Sequence, residues 1–280
     1  MTIQITAMQE RHLEQAFALT QQLKWPHRLA DWQQALQLGE GVVAEHEGEL
    51  LGTAIFWRWG HDYASLGLVI VADQAQGKGI GKQLMQTMLQ KLEGSNVRLH
   101  ATAMGKPLYE KLGFVATGFI EQHQCRELGE VIPLAPEQGQ LLRPASQKDV
   151  GLMTELDQQA HGQYRPALIA SLVEGAERTL LLEEQGVVVG FACLRRFGHG
   201  YAVGPVICRD LDRAKVLVTA LLAGLQGEFV RIDTDNECGL GDWLNTLGLP
   251  QVDAPVTMYK GTPWQPAGMK TFGLMSQAMA

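Results

Sequence analysis

The sequence predicts an α/β protein, α+β in arrangement, whose fold is built twice along one chain. Three observations carry this: strand-like and helix-like patterns alternate throughout, the second half repeats the first, and one glycine-rich strand-to-helix junction interrupts the first half alone. With 280 residues, 46% of them hydrophobic, the chain is long enough for two ordinary cores.

Ile3 and Ile5 mark a short first strand. Leu13, Ala16, Phe17, Thr20 and Leu23 then trace one face of a helix, which breaks at Trp25-Pro26-His27. Leu29, Trp32, Ala35 and Leu36 define a second helix ending near Gly39 and Gly41. Residues 42–45 and 50–59 read as strands around a Glu47-Gly48 turn, and Gly60-His61-Asp62 turns the chain into a strand over 64–71. That strand ends in Val69-Ile70-Val71. It is followed by Gln76-Gly77-Lys78-Gly79-Ile80-Gly81, and then by a helix with apolar positions at 84, 85, 88, 89 and 92.

Glycines at 77, 79 and 81 let the backbone approach a ligand and take positive φ, while the helix start offers unpaired N–H groups and the positive end of its dipole. Lys78 and Lys82 add charge. Such a junction suits a diphosphate. It is not a Walker A loop, because no Gly-Lys-Ser/Thr closes it. Its spacing is too short for a Rossmann fingerprint. Beyond it, Val97 to Thr102 reads as another strand, and Pro107-Leu108-Tyr109-Glu110-Lys111-Leu112-Gly113-Phe114 as a helix closing on a Gly-Phe turn.

Gln76-Gly77-Lys78-Gly79-Ile80-Gly81 resembles the acyl-CoA motif of the GNAT acetyltransferase superfamily: Gln or Arg, any two residues, Gly, any residue, Gly or Ala. The Tyr109 helix with its Gly113-Phe114 turn resembles the second GNAT signature, and the order of elements is the GNAT order. The resemblance implies two GNAT-like domains, each a mixed, mostly antiparallel, twisted sheet flanked by helices. It also implies acetyl-CoA as acetyl donor, with no metal. The pantetheine arm would lie against the backbone of Val69 and Val71, and the diphosphate against Gln76, Gly77, Lys78, Gly79, Gly81 and Lys82. Tyr109 would be the catalytic side chain, donating a hydrogen bond to the departing thiolate; its ordinary pKa of about 10, against about 8.5 for a thiol, favours stabilisation over full proton transfer. No Asp or Glu lies between Ala64 and Val71 to act as general base, so a water relay, His61, His100 or Asp62 takes that role. Trp25, Trp32, Trp57 and Trp59 either pack the core or line an acceptor pocket.

Laid over one another without a gap, residues 42–64 and 180–202 share nine identical pairs, among them Gly48/Gly186, Gly52/Gly190, Gly60/Gly198, His61/His199, Tyr63/Tyr201 and Ala64/Ala202. Val230-Arg231-Ile232-Asp233 echoes Val97-Arg98-Leu99-His100, and Leu244 to Leu249 echoes Tyr109 to Phe114. The fold is therefore duplicated. Residues 1–128 form the expected donor-binding domain and 139–262 a degenerate copy, joined through the polar stretch 127–140; 263–280 is a tail without an assigned element. Against the glycine motif the copy places Arg213-Ala214-Lys215-Val216-Leu217-Val218, and against Tyr109 it places Leu244. One working site per chain is expected.

A net charge of −7 disfavours a nucleic-acid surface and favours cationic or amine-bearing partners. No stretch is long and apolar enough to span a membrane, and no signal-peptide pattern opens the chain, so a cytoplasmic protein is expected. Cys125, Cys193, Cys208 and Cys238 stand singly, without metal-ligand spacing. The expected activity is transfer of an acetyl group to a primary amine of a small molecule, with a non-catalytic acyl-CoA sensor as the alternative. Acceptor identity and oligomeric state are open.

Overall fold

The computed structural model describes residues 3–279. The chain folds into two compact units. The first comprises residues up to Val115 plus Met258–Pro263 and Met279; the second comprises Ala116–Thr257 and Trp264–Ala278.

In the first unit, β1 (Gln4–Ala7) precedes α1 (Leu13–Gln22) and α2 (Leu29–Leu38). Then come β2 (Glu40–His46), β3 (Glu49–Trp59), β4 (Tyr63–Val71), α3 (Ile80–Lys91), β5 (Asn96–Ala101) and α4 (Lys106–Lys111). The strands neighbour one another in the order β1-β2-β3-β4-β5. All pairs are antiparallel except β4–β5, which is parallel. Strand β3 is buried along nearly its whole length, as a central strand covered on both faces must be. One covering helix is α3, whose Ile80, Leu84, Met85 and Met88 repeat at helical spacing and are all buried.

The second unit contains β6 (Val115–Cys125), β7 (Gln140–Pro144), α5 (Val150–His161), α6 (Pro166–Gly175), β8 (Arg178–Glu184), β9 (Val187–Phe197), β10 (Gly200–Cys208) and α7 (Leu211–Leu222). Next are β11 (Val230–Asp235), α8 (Leu240–Thr246) and β12 (Gln251–Asp253); β13 (Val256–Lys260) begins in the second unit and runs into the first from Met258, and β14 (Lys270–Gly273) belongs to the second. Its order is β6-β11-β10-β9-β8-β7, with β12 beside β6 and β14 beside β10. Leu217, Val218, Leu221 and Leu222 of α7 pack with Ala192, Leu194, Val203, Val230 and Ile232 in one core.

The contact division differs from the sequence boundaries at two places. Residues 116–128, assigned by sequence to the first domain, belong with the second unit, where β6 pairs antiparallel with β11 and β12. Residues 258–263 belong with the first unit. There Thr262 N–H donates to Asn96 Oδ1 (2.7 Å), Lys260 Nζ to Leu112 O (2.9 Å), and Arg98 lies 5.9 Å over the Tyr259 ring.

The repeat is real but slips. Strands β8 and β9 keep the gapless register onto β2 and β3, whereas the following turn is one residue shorter: Trp59 faces Tyr63, but Phe197 faces Gly200. Tyr201 therefore stands where Ala64 does, opposite Arg196 as Ala64 is opposite Arg58. A one-residue slip reverses the face of each side chain, so Tyr201 enters the α7 core, and Tyr63/Tyr201 and Ala64/Ala202 are not structural equivalents. Among the described residues no helix is long and apolar enough to cross a membrane.

Candidate functional site

Strands β4 and β5 pair only at Tyr63–Asn96, Ala64–Val97 and Ser65–Arg98. Beyond Ser65 they part. On its other edge β4 stays bonded to β3 through Thr53–Ile70 and Gly52–Val71, with a register shift around Leu68. Leu68 has φ +52°, a left-handed conformation costing about 1–2 kcal/mol for a residue with a Cβ. Its carbonyl accepts from Thr53 Oγ1 at 2.7 Å, which fixes the kink. Beyond it the direction of the polar groups is set: Ala72 N–H donates to Leu51 O (2.9 Å), towards β3. Strand alternation then aims the N–H and C=O of Val71 and Val69 away from β3, into the gap between β4 and β5. Gln76 Nε2 reaches Val71 O at 3.3 Å, consistent with that direction.

The glycine loop sits at the mouth of this gap. Gly77 and Gly79 both have φ +76°, and a Cβ on either would meet no atom within 4 Å. Conformation, and open space beside the loop, are what these glycines provide. Gly79 caps α3 without a side-chain hydrogen bond, and the first turn carries no acidic residue. The N–H groups of Ile80, Gly81 and Lys82 thus have no intrahelical acceptor, and the dipole end is uncompensated by a carboxylate. Lys82 is exposed beside them, while Lys78 Nζ donates to Gln74 O at 3.1 Å. This cradle fits a diphosphate. At Gly81 a Cβ would lie 3.4 Å from Leu108 Cδ2 and 3.6 Å from Val71 Cγ2, so the α3 start, the β4 end and α4 converge there.

Tyr109 follows Leu108 on α4. It is 8% exposed, packs edge-on to Phe114 at 6.0 Å, and abuts Gly105, where a Cβ would come within 3.0 Å of Cε2. Burial pushes its pKa up to about 12, so it is a protonated donor at any physiological pH. His61 and Asp62 are exposed in the turn before β4, where Asp62 O accepts from Asn96 N (2.7 Å). His100 is held well below its ordinary pKa by burial, with the charge of Arg98 adding to the effect. The tryptophans divide: Trp32 and Trp57 are fully buried and Trp59 nearly so, each indole N–H being satisfied, by Thr20 Oγ1 (3.3 Å), Ala35 O (2.9 Å) and Ser65 Oγ (2.8 Å). These three are core. Trp25 is partly exposed beside His27, with ring centroids 5.9 Å apart.

In the second unit the corresponding apparatus is cut out. Eight residues separate Val71 from Ile80, but only two separate Cys208 from Leu211. The stretch Arg213 to Val218, which stands against the glycine motif in the sequence comparison, lies inside α7. The loop is absent rather than substituted. The Leu244 equivalence does hold. Phe114 N–H donates to Tyr109 O and Leu249 N–H to Leu244 O, both at 3.1 Å, and each follows a glycine at positive φ, Gly113 and Gly248. No group of three or more His, Cys, Asp or Glu among the described residues is arranged to hold a metal ion.

An open parallel splay ending in a glycine-cradled helix start is the architecture of an acyl-CoA-dependent acyltransferase. The acetyltransferase (GNAT) domain family matches residues 37–116, and a second family of the same description matches 153–273. The chain belongs to the GNAT superfamily and carries two of its domains in tandem. Over 284 aligned residues it is 27% identical to the uncharacterized N-acetyltransferase YitH of Bacillus subtilis, covering 99% of this chain and 98% of that protein. It is 24% identical over 212 residues to holothin acyltransferase of a Pseudoalteromonas species, covering 75% of this chain and 70% of the other. A Pyrococcus horikoshii structure assigned as an acetyltransferase shares the fold with a TM-score of 0.80 at 21% identity, over 99% of this chain and 96% of that one. A tandem GNAT protein of clavulanic acid biosynthesis matches with a TM-score of 0.66 at 13% identity, over 92% and 98%.

Proposed function

We propose that the first unit transfers an acetyl group from acetyl-CoA to a primary amine of a small molecule. The observation that carries this reading is the junction itself: the N–H and C=O groups of Val69 and Val71 turned into an unpaired gap that ends at the Gly77–Gly81 cradle. When bound, acetyl-CoA supplies a thioester carbonyl open to attack and a thiol leaving group. The Val71 and Val69 backbones bind the pantetheine amides as a neighbouring strand would. The Val69 N–H holds the carbonyl oxygen as negative charge develops on it. Gln76, Gly77, Lys78, Gly79, Gly81 and Lys82 hold the diphosphate. Tyr109, kept protonated by burial, donates a hydrogen bond to the sulfur as the C–S bond breaks. His100, kept neutral at pH 7 by burial, is in the state a proton acceptor needs. The chain's negative charge, −7, favours approach of a cationic amine.

The test is a panel of small primary amines incubated with acetyl-CoA and the full chain, reading free thiol against a no-amine blank. Thiol release with a subset of amines, and mass spectra of the N-acetylated products, are expected. CoA binding without thiol release for any amine would overturn catalysis in favour of an acyl-CoA sensor.

A further inference from the structure

The two units treat the same gap in opposite ways. In the second unit β10 and β11 also pair in parallel over three residues, Tyr201–Val230, Ala202–Arg231 and Val203–Ile232, before separating. The strand beyond runs Val203-Gly204-Pro205-Val206-Ile207-Cys208, against Leu66-Gly67-Leu68-Val69-Ile70-Val71 in the first unit. Both couple to the preceding strand through the same glycine position, Gly190–Cys208 and Gly52–Val71. Val206 and Cys208 are thus the counterparts of Val69 and Val71.

Those counterparts are occupied. Strand β14 pairs antiparallel with Val206, Ile207 and Cys208 through Gly273, Thr271 and Lys270. On its far side Leu274 N–H donates to Asp233 O (2.8 Å), and Thr234 Oγ1 to Phe272 O (2.7 Å), both on β11. The segment bridges the two parted strands. Phe272, Leu274 and Met275 are all at most 3% exposed. Arg195 clamps the exit, its Nε donating to Gly204 O (3.0 Å) and its Nη2 to Met275 O. Upstream, the same segment covers α5: Ala267 N–H donates to Gln159 O (2.6 Å), Thr271 Oγ1 shares a hydrogen bond with His161 Nε2 (3.0 Å), and Trp264 stands edge-on to His161 at 5.5 Å. At the helix start next to the gap, the side chain of Asp210 caps α7 by accepting from Arg213 N–H (3.0 Å), so a carboxylate fills the anion position that Gly79 leaves free on α3.

We propose that residues 264–275 are a built-in occupant of the second unit's cleft, taking as a β-strand the place that an acyl-donor arm takes in the first unit and closing the second copy to acyl-CoA from within. The comparison of clefts rests on the donor reading of the first unit; the occupancy of the second does not. Strand addition supplies main-chain hydrogen bonds on both sides, and it covers two strand edges that would otherwise be open to pairing with another chain. A tethered segment acts at an effective concentration on the order of millimolar. Loss of the glycine loop and gain of the strand therefore make the second unit a fixed body rather than a second turnover site.

Hydrogen exchange on the full chain, with and without saturating acetyl-CoA, tests this. In the parent, amides of 206–208 and 271–274 should exchange slowly and together, unchanged by acetyl-CoA, while amides of 69–83 gain protection. Gly204→Ala is the perturbation, since its Cβ would lie 1.9 Å from Leu274 O. It should speed exchange in 206–208 and 271–274 by tenfold or more and leave the acetyl-CoA affinity unchanged. If Gly204→Ala does not fold, Phe272→Ala, which removes the buried anchor, should give the same paired acceleration. The proposal is overturned if 271–274 exchanges in the parent at the rate of an unstructured peptide, or if acetyl-CoA protects 206–208 or deprotects 271–274. Failure of acetyl-CoA to protect 69–83 would count against the first-unit reading alone, because the parent's slow exchange at 271–274 is measured without ligand.

Discussion

Tyr109→Phe removes one hydroxyl and leaves the ring, and the structure sets what that should do. The ring is 8% exposed and held by Phe114 and Gly105. No described residue accepts a hydrogen bond from its oxygen, so deletion leaves no buried partner orphaned. Stability should change by no more than about 0.5 kcal/mol, the usual range away from such features. Catalysis should not be spared. With the phenol raised to about 12 and a thiol near 8.5, complete proton transfer would be uphill by roughly 5 kcal/mol at 1.36 kcal/mol per unit. On the proposed mechanism the hydroxyl acts as a hydrogen-bond donor that strengthens while sulfur gains charge. Acid assistance is worth about 10²–10⁴-fold, and a donor that keeps its proton belongs at the lower end, so kcat should fall about 10²-fold with acetyl-CoA affinity within twofold. The assay is steady-state thiol release alongside calorimetric titration of acetyl-CoA. The same pKa makes a second demand: the parent should show no alkaline loss of kcat from this group through pH 10. Parent-like turnover in Tyr109→Phe would reduce Tyr109 to a packing residue and leave the mechanism without its side-chain catalyst.

Gly79→Val puts a β-branched residue at φ +76°; it should cost about 1–2 kcal/mol of stability and weaken acetyl-CoA binding at least tenfold, read by calorimetry on the folded variant. Stability should also depend on pH through two histidines. Burial lowers the pKa of His12, against the opposing pull of Glu45, and lowers that of His100 further. Folded pKa values below the unfolded value near 6.5 mean that the unfolded chain takes up protons first on acidification. The stability these groups contribute is complete above about pH 6.5 and is lost as pH falls towards their folded pKa values. Thermal midpoints should drop between pH 7 and 5, and His100→Asn should flatten that slope more than His12→Asn, as differential scanning fluorimetry across pH would register.

The glycine loop and the Tyr109 helix were legible because local chemistry dictates them: a positive-φ turn needs glycine, and a helix start beside it needs no partner to be recognised. The duplication was legible for the same reason, through hairpin glycines shared by both copies. What escaped depends on pairing at long range. The shorter turn at Gly198-His199 is a single-residue deletion that identical flanking residues conceal, although it turns Tyr201 into the core. Loss of the anion loop escaped because setting Arg213 to Val218 residue for residue against the glycine motif leaves no place for a deletion, and Arg213-Ala214-Lys215 reads as loop or helix with equal ease. Trp32, Trp57 and Trp59 could not be told from pocket aromatics until their N–H partners were seen. The tail gave no strand signal, since Met269 to Met275 holds a single β-branched residue, Thr271, and no sustained alternation of apolar and polar positions. Its conformation comes from the edges of β10 and β11, not from its own composition.

The second unit holds a buried ion pair whose net contribution to stability can be measured. Asp157 and Arg165 are at most 1% exposed and pair through two bonds, Nε to Oδ2 at 2.8 Å and Nη2 to Oδ1 at 2.6 Å. They tie α5 to the residue that precedes α6. Desolvating both charges offsets most of their attraction, so the intact pair adds little net stability, whereas removing one partner strands a buried charge. Arg165→Met should therefore destabilise the chain by about 3–5 kcal/mol. The double replacement Asp157→Leu with Arg165→Met should recover most of that loss, because a well-packed apolar pair of similar volume replaces the ions. Denaturant unfolding of parent, single and double variants measures both. Acetyl-CoA affinity should stay at the parent value in each folded variant, since the pair belongs to the unit without the glycine loop. If the double variant proved as unstable as Arg165→Met, the ion pair would be contributing net stability rather than breaking even, and the desolvation argument for this site would be wrong.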